Sequence, residues 1–310
     1  MAKKQKQTQE ILNISSLNCV CYNYNNMKSL ISLFALSVLA VTLVPSVAFA
    51  ARTPLAGTPE LVGYDVSYPQ CGRRLPTDHY FGIVGVNGGS AASANACLAD
   101  QLVWANKARV GSKQPRVQLY VNTANPGEVI NQITTWPTSN ADSNGNTPVN
   151  PYGNTCSGGN DLACSWLYGW NRSIYTENVF KAAASSKGLD INTSNYIWWL
   201  DVETMNTWQS GSSEALARNT AAIEGFASYY QSKGNPNSVG LYSTAFQWKE
   251  ITGNNIRTES NLNGLANWRP SGASLSNAKA NCSVSPLTPG GRIVLTQYVV
   301  KNLDHNHSCI

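Results

Sequence analysis

Residues 196–203 read Tyr-Ile-Trp-Trp-Leu-Asp-Val-Glu, an apolar run closed by two acids one residue apart. Short apolar runs bounded by turn formers mark strands buried on both faces. Six more such runs occur, at Val62–Val66, Phe81–Val86, Val117–Val121, Val239–Tyr242, Gly264–Trp268 and Ile293–Val299. Helix-like stretches at Leu98–Ala108, Tyr175–Lys187 and Ser213–Lys233 lie between several of them, the last carrying Leu216, Ile223, Phe226 and Tyr230 at helical spacing. Strands alternating with helices predict parallel βα units and an α/β chain. Toward the C-terminus the helices thin out while strand-like pieces continue. The expectation is therefore a barrel that is regular βα at first and mostly strand at its end. No internal repeat or Pro-rich linker divides the chain, so residues 51–310 are expected to form one domain. The Asn/Gly/Ser/Pro-rich stretch from Pro137 to Ser165 is either a cleft wall or a surface excursion.

Ionised groups seldom follow an apolar run unless they are paired or functional, because burying charge is costly. On a strand, residues i and i+2 share a face, so Asp201 and Glu203 are expected side by side. At the C-terminal end of a barrel strand they would sit where the active sites of such barrels lie. Neighbouring carboxyls push their pKa values apart, so that one holds a proton while the other is charged. Glycosidic bond cleavage needs such a pair; a strand-end salt bridge or helix cap is the alternative. Asp65 and Asp304 end or follow two other apolar runs, and a closed barrel would bring all four acids together. Among the 9 Trp and 14 Tyr, Trp208, Trp268, Tyr242 and Tyr298 are the rings placed in a sugar-binding cleft, with core packing as the competing reading.

The 310 residues carry 22 Lys+Arg against 17 Asp+Glu, a net charge of +5, and only 13% are charged. Lys3, Lys4, Lys6 and Lys28 account for much of the excess, which leaves a body without the basic footprint of a nucleic-acid binder. Met27-Lys28, the apolar run Leu30–Val44 and Ala48-Phe49-Ala50 have the layout of a secretory signal peptide over residues 27–50. Residues 1–26 are a polar extension, consistent with a start at Met27. Cleavage would leave no stable membrane anchor and would send the protein outside the cell or to the cell wall; an uncleaved anchor is the alternative. Beyond the signal six cysteines remain, an even number that suits three disulfides. Their grouping suggests Cys71–Cys97, Cys156–Cys164 and Cys282–Cys309. No C-x2-C pair supports zinc, and His305-x-His307 reads as an exposed tail, so neither metal nor cofactor is expected. Nucleophile elbows and Gly-rich phosphate loops are absent from the sequence.

Gly63-Tyr64-Asp65-Val66-Ser67 with Gln70, Trp199-Leu200-Asp201-Val202-Glu203, Val239-Gly240-Leu241-Tyr242-Ser243 with Trp248, Ala266-Asn267-Trp268, and Gln297-Tyr298 followed by Asp304-His305-Asn306 occur in that order. This series resembles the family 25 glycoside hydrolases, lysozymes that cut peptidoglycan as N-acetylmuramidases. The resemblance implies a TIM-like flattened barrel of five βα units followed by three helix-poor strands. It also implies peptidoglycan or a related glycan as partner, Glu203 as general acid, and Asp201 orienting a 2-acetamido group or stabilising a cationic transition state. Asp65 and Asp304 would hold the charge and geometry of the cleft. The second strand departs from the pattern: an acid is usual at its end, whereas this chain has Asn87-Gly88-Gly89. Asn87 is accordingly expected in an altered substrate subsite, and a barrel that binds cell-wall glycan with weak or no hydrolysis is the alternative. A family 18 chitinase would want a third acid where Trp199 stands.

Overall fold

Eight strands form in the computed structural model, which describes residues 60–310. They are β1 (Gly63–Val66), β2 (Phe81–Gly85), β3 (Val117–Asn122), β4 (Trp198–Asp201), β5 (Val239–Tyr242), β6 (Ala266–Pro270), β7 (Arg292–Val300) and β8 (Leu303–Ser308). Neighbours in sequence are neighbours in space, and β8 pairs with β1, so the sheet closes into a barrel. Strands β1 to β7 are all parallel, while β8 runs antiparallel to both β7 and β1. The reversal comes from a two-residue hairpin in which Lys301 and Asn302 both have positive φ, the pattern of a type I′ turn. The signal segment read at residues 27–50, the extension before it, and Cys19 and Cys21 lie outside the described residues. No helix among the described residues is long and apolar enough to cross a membrane.

Five α-helices cover the barrel: α1 (Leu98–Asn106), α2 (Leu162–Ser185), α3 (Ser213–Gln231), α4 (Ala245–Thr252) and α5 (Leu275–Asn281). The TIM-like barrel of five βα units is as expected, with a shift in where the helices fall. Only a short 3-10 turn, Tyr68–Gln70, follows β1, and the fifth helix follows β6. The exposed tail expected around His305 and His307 is instead the strand that closes the barrel. His305 packs against the Tyr64 and Tyr298 rings, and His307 hydrogen-bonds Glu60. A lone run of polar residues hides this strand from a hydropathy reading, because its pairing partners rather than its own side chains make it a strand.

Alternation along the strands builds two cores. Trp198, Leu200 and Val202 point outward into the layer shared with the helices, among Phe180, Ile223, Phe226 and Tyr230. Trp199 points inward, where Phe81, Ile83, Trp268 and Leu295 fill the barrel. The run is apolar on both faces because it is buried on both. Helix α2 starts thirteen residues before the expected stretch, capped by the Asp161 side chain, which accepts from the Cys164 amide at 2.8 Å. Its first four residues, Leu162–Ser165, lie in the Asn/Gly/Ser-rich region whose composition suggested loop. The three disulfides are the expected pairs, Cys71–Cys97, Cys156–Cys164 and Cys282–Cys309. Cys156–Cys164 ties the long loop to α2, and Trp136 from that loop stacks on Tyr168, their centroids 5.5 Å apart. The loop thus packs over α2 and lines no part of the cleft formed by Asp65, Asp201, Glu203 and Asp304.

Candidate active site

Inward-facing positions at the C-terminal ends of the parallel strands are polar. Asp65 comes from β1, Tyr120 and Asn122 from β3, Asp201 from β4, Tyr242 from β5 and Gln297 from β7. Because β8 is reversed, its beginning reaches the same end of the barrel and adds Asp304. Glu203 follows two residues after Asp201. Together these groups line an open cleft of about 220 Å³ continuous with a hollow of about 200 Å³ beneath it. All four acids predicted from the sequence therefore meet around one cavity.

Each acid is held differently. Asp65, only 6% exposed, accepts from the Gln297 amide at 3.1 Å and from Asn306 Nδ2 at 2.7 Å. Asp201 accepts at Oδ2 from Asn122 Nδ2 at 2.9 Å, while its backbone carbonyl accepts from the Thr123 hydroxyl at 2.7 Å. Ser243 grips the next carbonyl, that of Val202, at 2.7 Å, so both neighbouring strands clamp the acidic segment. The Asp201 and Glu203 carboxyls line the same cleft, and Asp201 Oδ1 is buried without a hydrogen-bond partner among the described residues. None of the four acids forms an ion pair among the described residues, whose salt bridges all lie elsewhere.

Carboxyls crowded in this way, without cations, resist ionisation. Burial pushes Asp65 up to about 8, and the charge of Asp304 acts in the same direction against the amides of Asn306 and Gln297. Burial, then the Glu203 and Asp65 charges, holds Asp201 well above the ordinary carboxylate range. Glu203 is raised by burial, with the Asp201 hydrogen bond opposing and the Asp304 charge reinforcing. Asp304 is raised by burial, partly offset by His305. A carboxyl whose native pKa exceeds its unfolded value favours the fold at low pH, and that contribution is lost as pH rises through the native value. For Asp65 the window runs from its ordinary 3.8 to about 8. Buried His79, whose pKa is lowered, acts oppositely but only below its ordinary 6.5. Thermal unfolding between pH 6.5 and 8 is therefore expected to show Tm falling by about 3–5 °C per pH unit from Asp65 alone. Asp65→Asn should flatten that slope; an unchanged slope would mean that Asp65 is ionised throughout.

The aromatic residues divide. Tyr242 lines the lower hollow and donates its hydroxyl to Gln297 Oε1 at 2.7 Å. Trp268 also reaches the hollow, but it is 2% exposed and its Nε1 donates to Asn306 Oδ1 at 2.8 Å, so it forms floor rather than an open platform. Trp208 and Tyr298 are corrections. Trp208 lies outside the cleft, against the outer core, with Nε1 donating to the Glu203 carbonyl at 2.8 Å. Tyr298 follows Gln297 on β7, so strand parity turns it away from the cleft toward His305. Replacing Trp208 with Phe keeps the apolar ring but frees the carbonyl beside Glu203. Loss of one hydrogen bond, worth about 1 kcal/mol, is expected to lower Tm slightly and to reduce turnover more than substrate binding. Equal kcat in the variant would show that the loop holds its shape without it.

Asn87 is a third correction. It is 1% exposed and lines no part of the cleft; its amide is used entirely inside the protein, donating to the Ser93 carbonyl and accepting from the Asn122 amide, both at 2.9 Å. The close approach expected of the adjoining glycines is real. At Gly89, with φ of 94°, a Cβ would come within 2.9 Å of the Tyr68 ring. That ring, 49% exposed, lines the cleft together with Met205, 93% exposed. Tyr68, Tyr120, Asn122, Met205 and Gln297 were not among the sequence-predicted site residues. Tyr120 and Asn122 did carry a signal, as polar groups alternating with Leu119 and Val121 on a buried strand.

The fold and cleft define a closed, mostly parallel barrel with an uncompensated acid cluster at the C-terminal strand ends. No family profile matches the chain, and no curated protein matches it. Solved structures similar to it include a muramidase from Acremonium alcalophilum, at 16% identity over 80% of this chain and 93% of that one, with a TM-score of 0.44. A family GH25 lysozyme from Aspergillus fumigatus matches at 13% identity over 80% and 93%, with a TM-score of 0.46. A bacterial lysozyme from Streptomyces coelicolor matches at 15% identity over 81% and 93%, with a TM-score of 0.42. At such identities and TM-scores the likeness does not decide the chemistry, which rests on the cleft itself.

Proposed function

We propose that the chain is a secreted glycoside hydrolase acting on cell-wall peptidoglycan or a closely related glycan, with Glu203 as general acid. The observation that carries this reading is the gathering of Asp65, Asp201, Glu203 and Asp304, without an ion pair among the described residues, around one cleft that Tyr68 and Met205 also line. Crowding and burial favour the protonated form of the Asp201–Glu203 pair, and Glu203 is its more exposed member. In the reaction that proton passes to the glycosidic oxygen as the bond from the anomeric carbon to that oxygen breaks. Positive charge then builds on the sugar ring, and the Asp201–Glu203 pair, having given up its proton, stabilises that charge, while Asp65 and Asp304 hold the geometry behind it. Water completes the hydrolysis and returns a proton to the pair. Tyr242 and Tyr120 supply hydroxyls, and Trp268 closes the floor.

The ordered motifs around Asp65, Asp201, Glu203, Tyr242 and Asp304 support peptidoglycan as the substrate class. Three disulfides and the signal-like segment at residues 27–50 support export. A barrel that binds glycan without cutting it would be favoured by ion-paired acids or a filled cleft, and neither is present among the described residues. Incubation with purified peptidoglycan tests the reading. New reducing ends should accumulate with time, whereas background release by folded protein would overturn it.

A further inference from the structure

Strand β2 ends one rung before the site does. Val86 still donates to the Tyr120 carbonyl at 2.9 Å, but its own carbonyl is taken by the Asn95 amide at 3.0 Å. The next rung to β3, which that carbonyl would have accepted, is supplied by a side chain: the Asn122 backbone N–H donates to Asn87 Oδ1. Asn87 is fixed in turn by donating to the Ser93 carbonyl. Thr123, the next residue after Asn122, holds the Asp201 carbonyl through its amide at 3.1 Å and its hydroxyl at 2.7 Å. The Asn122 side chain then donates to Asp201 Oδ2.

We infer that Asn87 is a positioning residue: it holds the Asn122 backbone so that the Asn122 amide occupies Asp201 Oδ2 and leaves the Asp201 proton to Oδ1. An amide donor and an acid proton cannot both occupy the same face of Oδ2 without repulsion, so the donor at Oδ2 directs the proton to the other oxygen. Asp201 Oδ1 is buried and has no hydrogen-bond partner among the described residues. An acidic residue at position 87 could accept from the Asn122 amide but, when ionised, could not donate to Ser93. The amide therefore does a job that an ionised acid could not do here. The other titratable groups facing Asp201 are Glu203, Asp65 from β1, Tyr120 from β3, Tyr242 from β5 and Asp304 from β8.

This role rests on the hydrolase reading for its catalytic consequence but not for its titration, which allows the two to be tested apart. In the full chain, carboxyl-labelled NMR titration of Asp201 and Glu203 is compared among wild type, Asn87→Ala and Asn122→Ala. Losing the donor to Oδ2 should raise the titration of the pair in both variants, in the same direction. Turnover on peptidoglycan should fall about 10–100-fold with KM within about twofold, and the alkaline limb of kcat/KM should move to higher pH. A purely structural Asn87 would lower Tm and leave the titration where it was, which would overturn the inference. Should Asn87→Ala not fold, Asn122→Ala decides, because it removes only the side-chain amide and keeps the backbone rung. Absence of hydrolysis in wild type with the titration shift present would reject the hydrolase reading and retain the positioning role.

Discussion

Glu203→Gln should remove hydrolysis while leaving the protein folded. The substitution preserves the size of the side chain and replaces a carboxyl that shares a proton with Asp201 by an amide that has none to give at the glycosidic oxygen. General acid catalysis contributes about 10²–10⁴ in rate, so kcat/KM on peptidoglycan is expected to fall by that factor. Binding should survive, because the Tyr68 and Met205 walls are untouched. Removing one of four crowded carboxyls also relieves repulsion on Asp201 and Asp304, and Tm at neutral pH should be unchanged or higher. Sedimentation with insoluble peptidoglycan, reducing-end release and thermal unfolding on the same samples read the three effects separately. A variant that hydrolyses within about threefold of wild type would remove Glu203 from the acid role and shift attention to Asp304.

The second large effect lies far from the chemistry, where α2 crosses α3. A Cβ at Gly225 would stand 1.9 Å from the Trp166 carbonyl oxygen, and one at Gly169 would stand 2.0 Å from that of Ala222. No side-chain rotation relieves a clash with backbone, so the helices would have to part. Separation would also loosen the contacts that follow along the crossing, where the Ser173 hydroxyl donates to the Phe226 carbonyl at 3.3 Å and Thr176 meets the Tyr230 hydroxyl at 2.5 Å. Alanine favours a helix over glycine by about 1 kcal/mol, whereas overpacking typically costs about 1–3 kcal/mol per site and more against rigid backbone. Packing should win. Gly169→Ala with Gly225→Ala is expected to lower Tm by about 5–10 °C, and Gly225→Val by more. A raised Tm in the double variant would mean that the helices sit farther apart than they do here.

That crossing also marks a limit of reading residues in order. Nothing in the sequence around Gly169 distinguishes a close helix contact from a weak helix, and the Asn/Gly/Ser-rich stretch up to Ser165 hid where α2 begins. The polar strand Leu303–Ser308 was equally hidden. Its hydropathy is that of a tail, and only its pairing on both sides with β7 and β1 makes it the seam of the barrel. By contrast, the two-sided burial of β4 was plain from Trp198-Trp199-Leu200, because a strand between helices and a filled barrel must be apolar on both faces.

The linear order of residues indicated seven of the eight strands, an even set of cysteines whose grouping suggested their pairs, and the four acids, since each is carried by side-chain type and local spacing. Tertiary structure alone decided which polar groups serve those acids. Strand parity turned Tyr298 away and Trp208 fell behind the acidic loop. Asn87 became a rung between two strands, while Asn122, Gln297 and Asn306 took up the carboxylate oxygens. Local spacing tells which face a residue shares with its near neighbours, but hydrogen-bond partners hundreds of positions away, such as Asn306 for Asp65, are set by how the barrel closes.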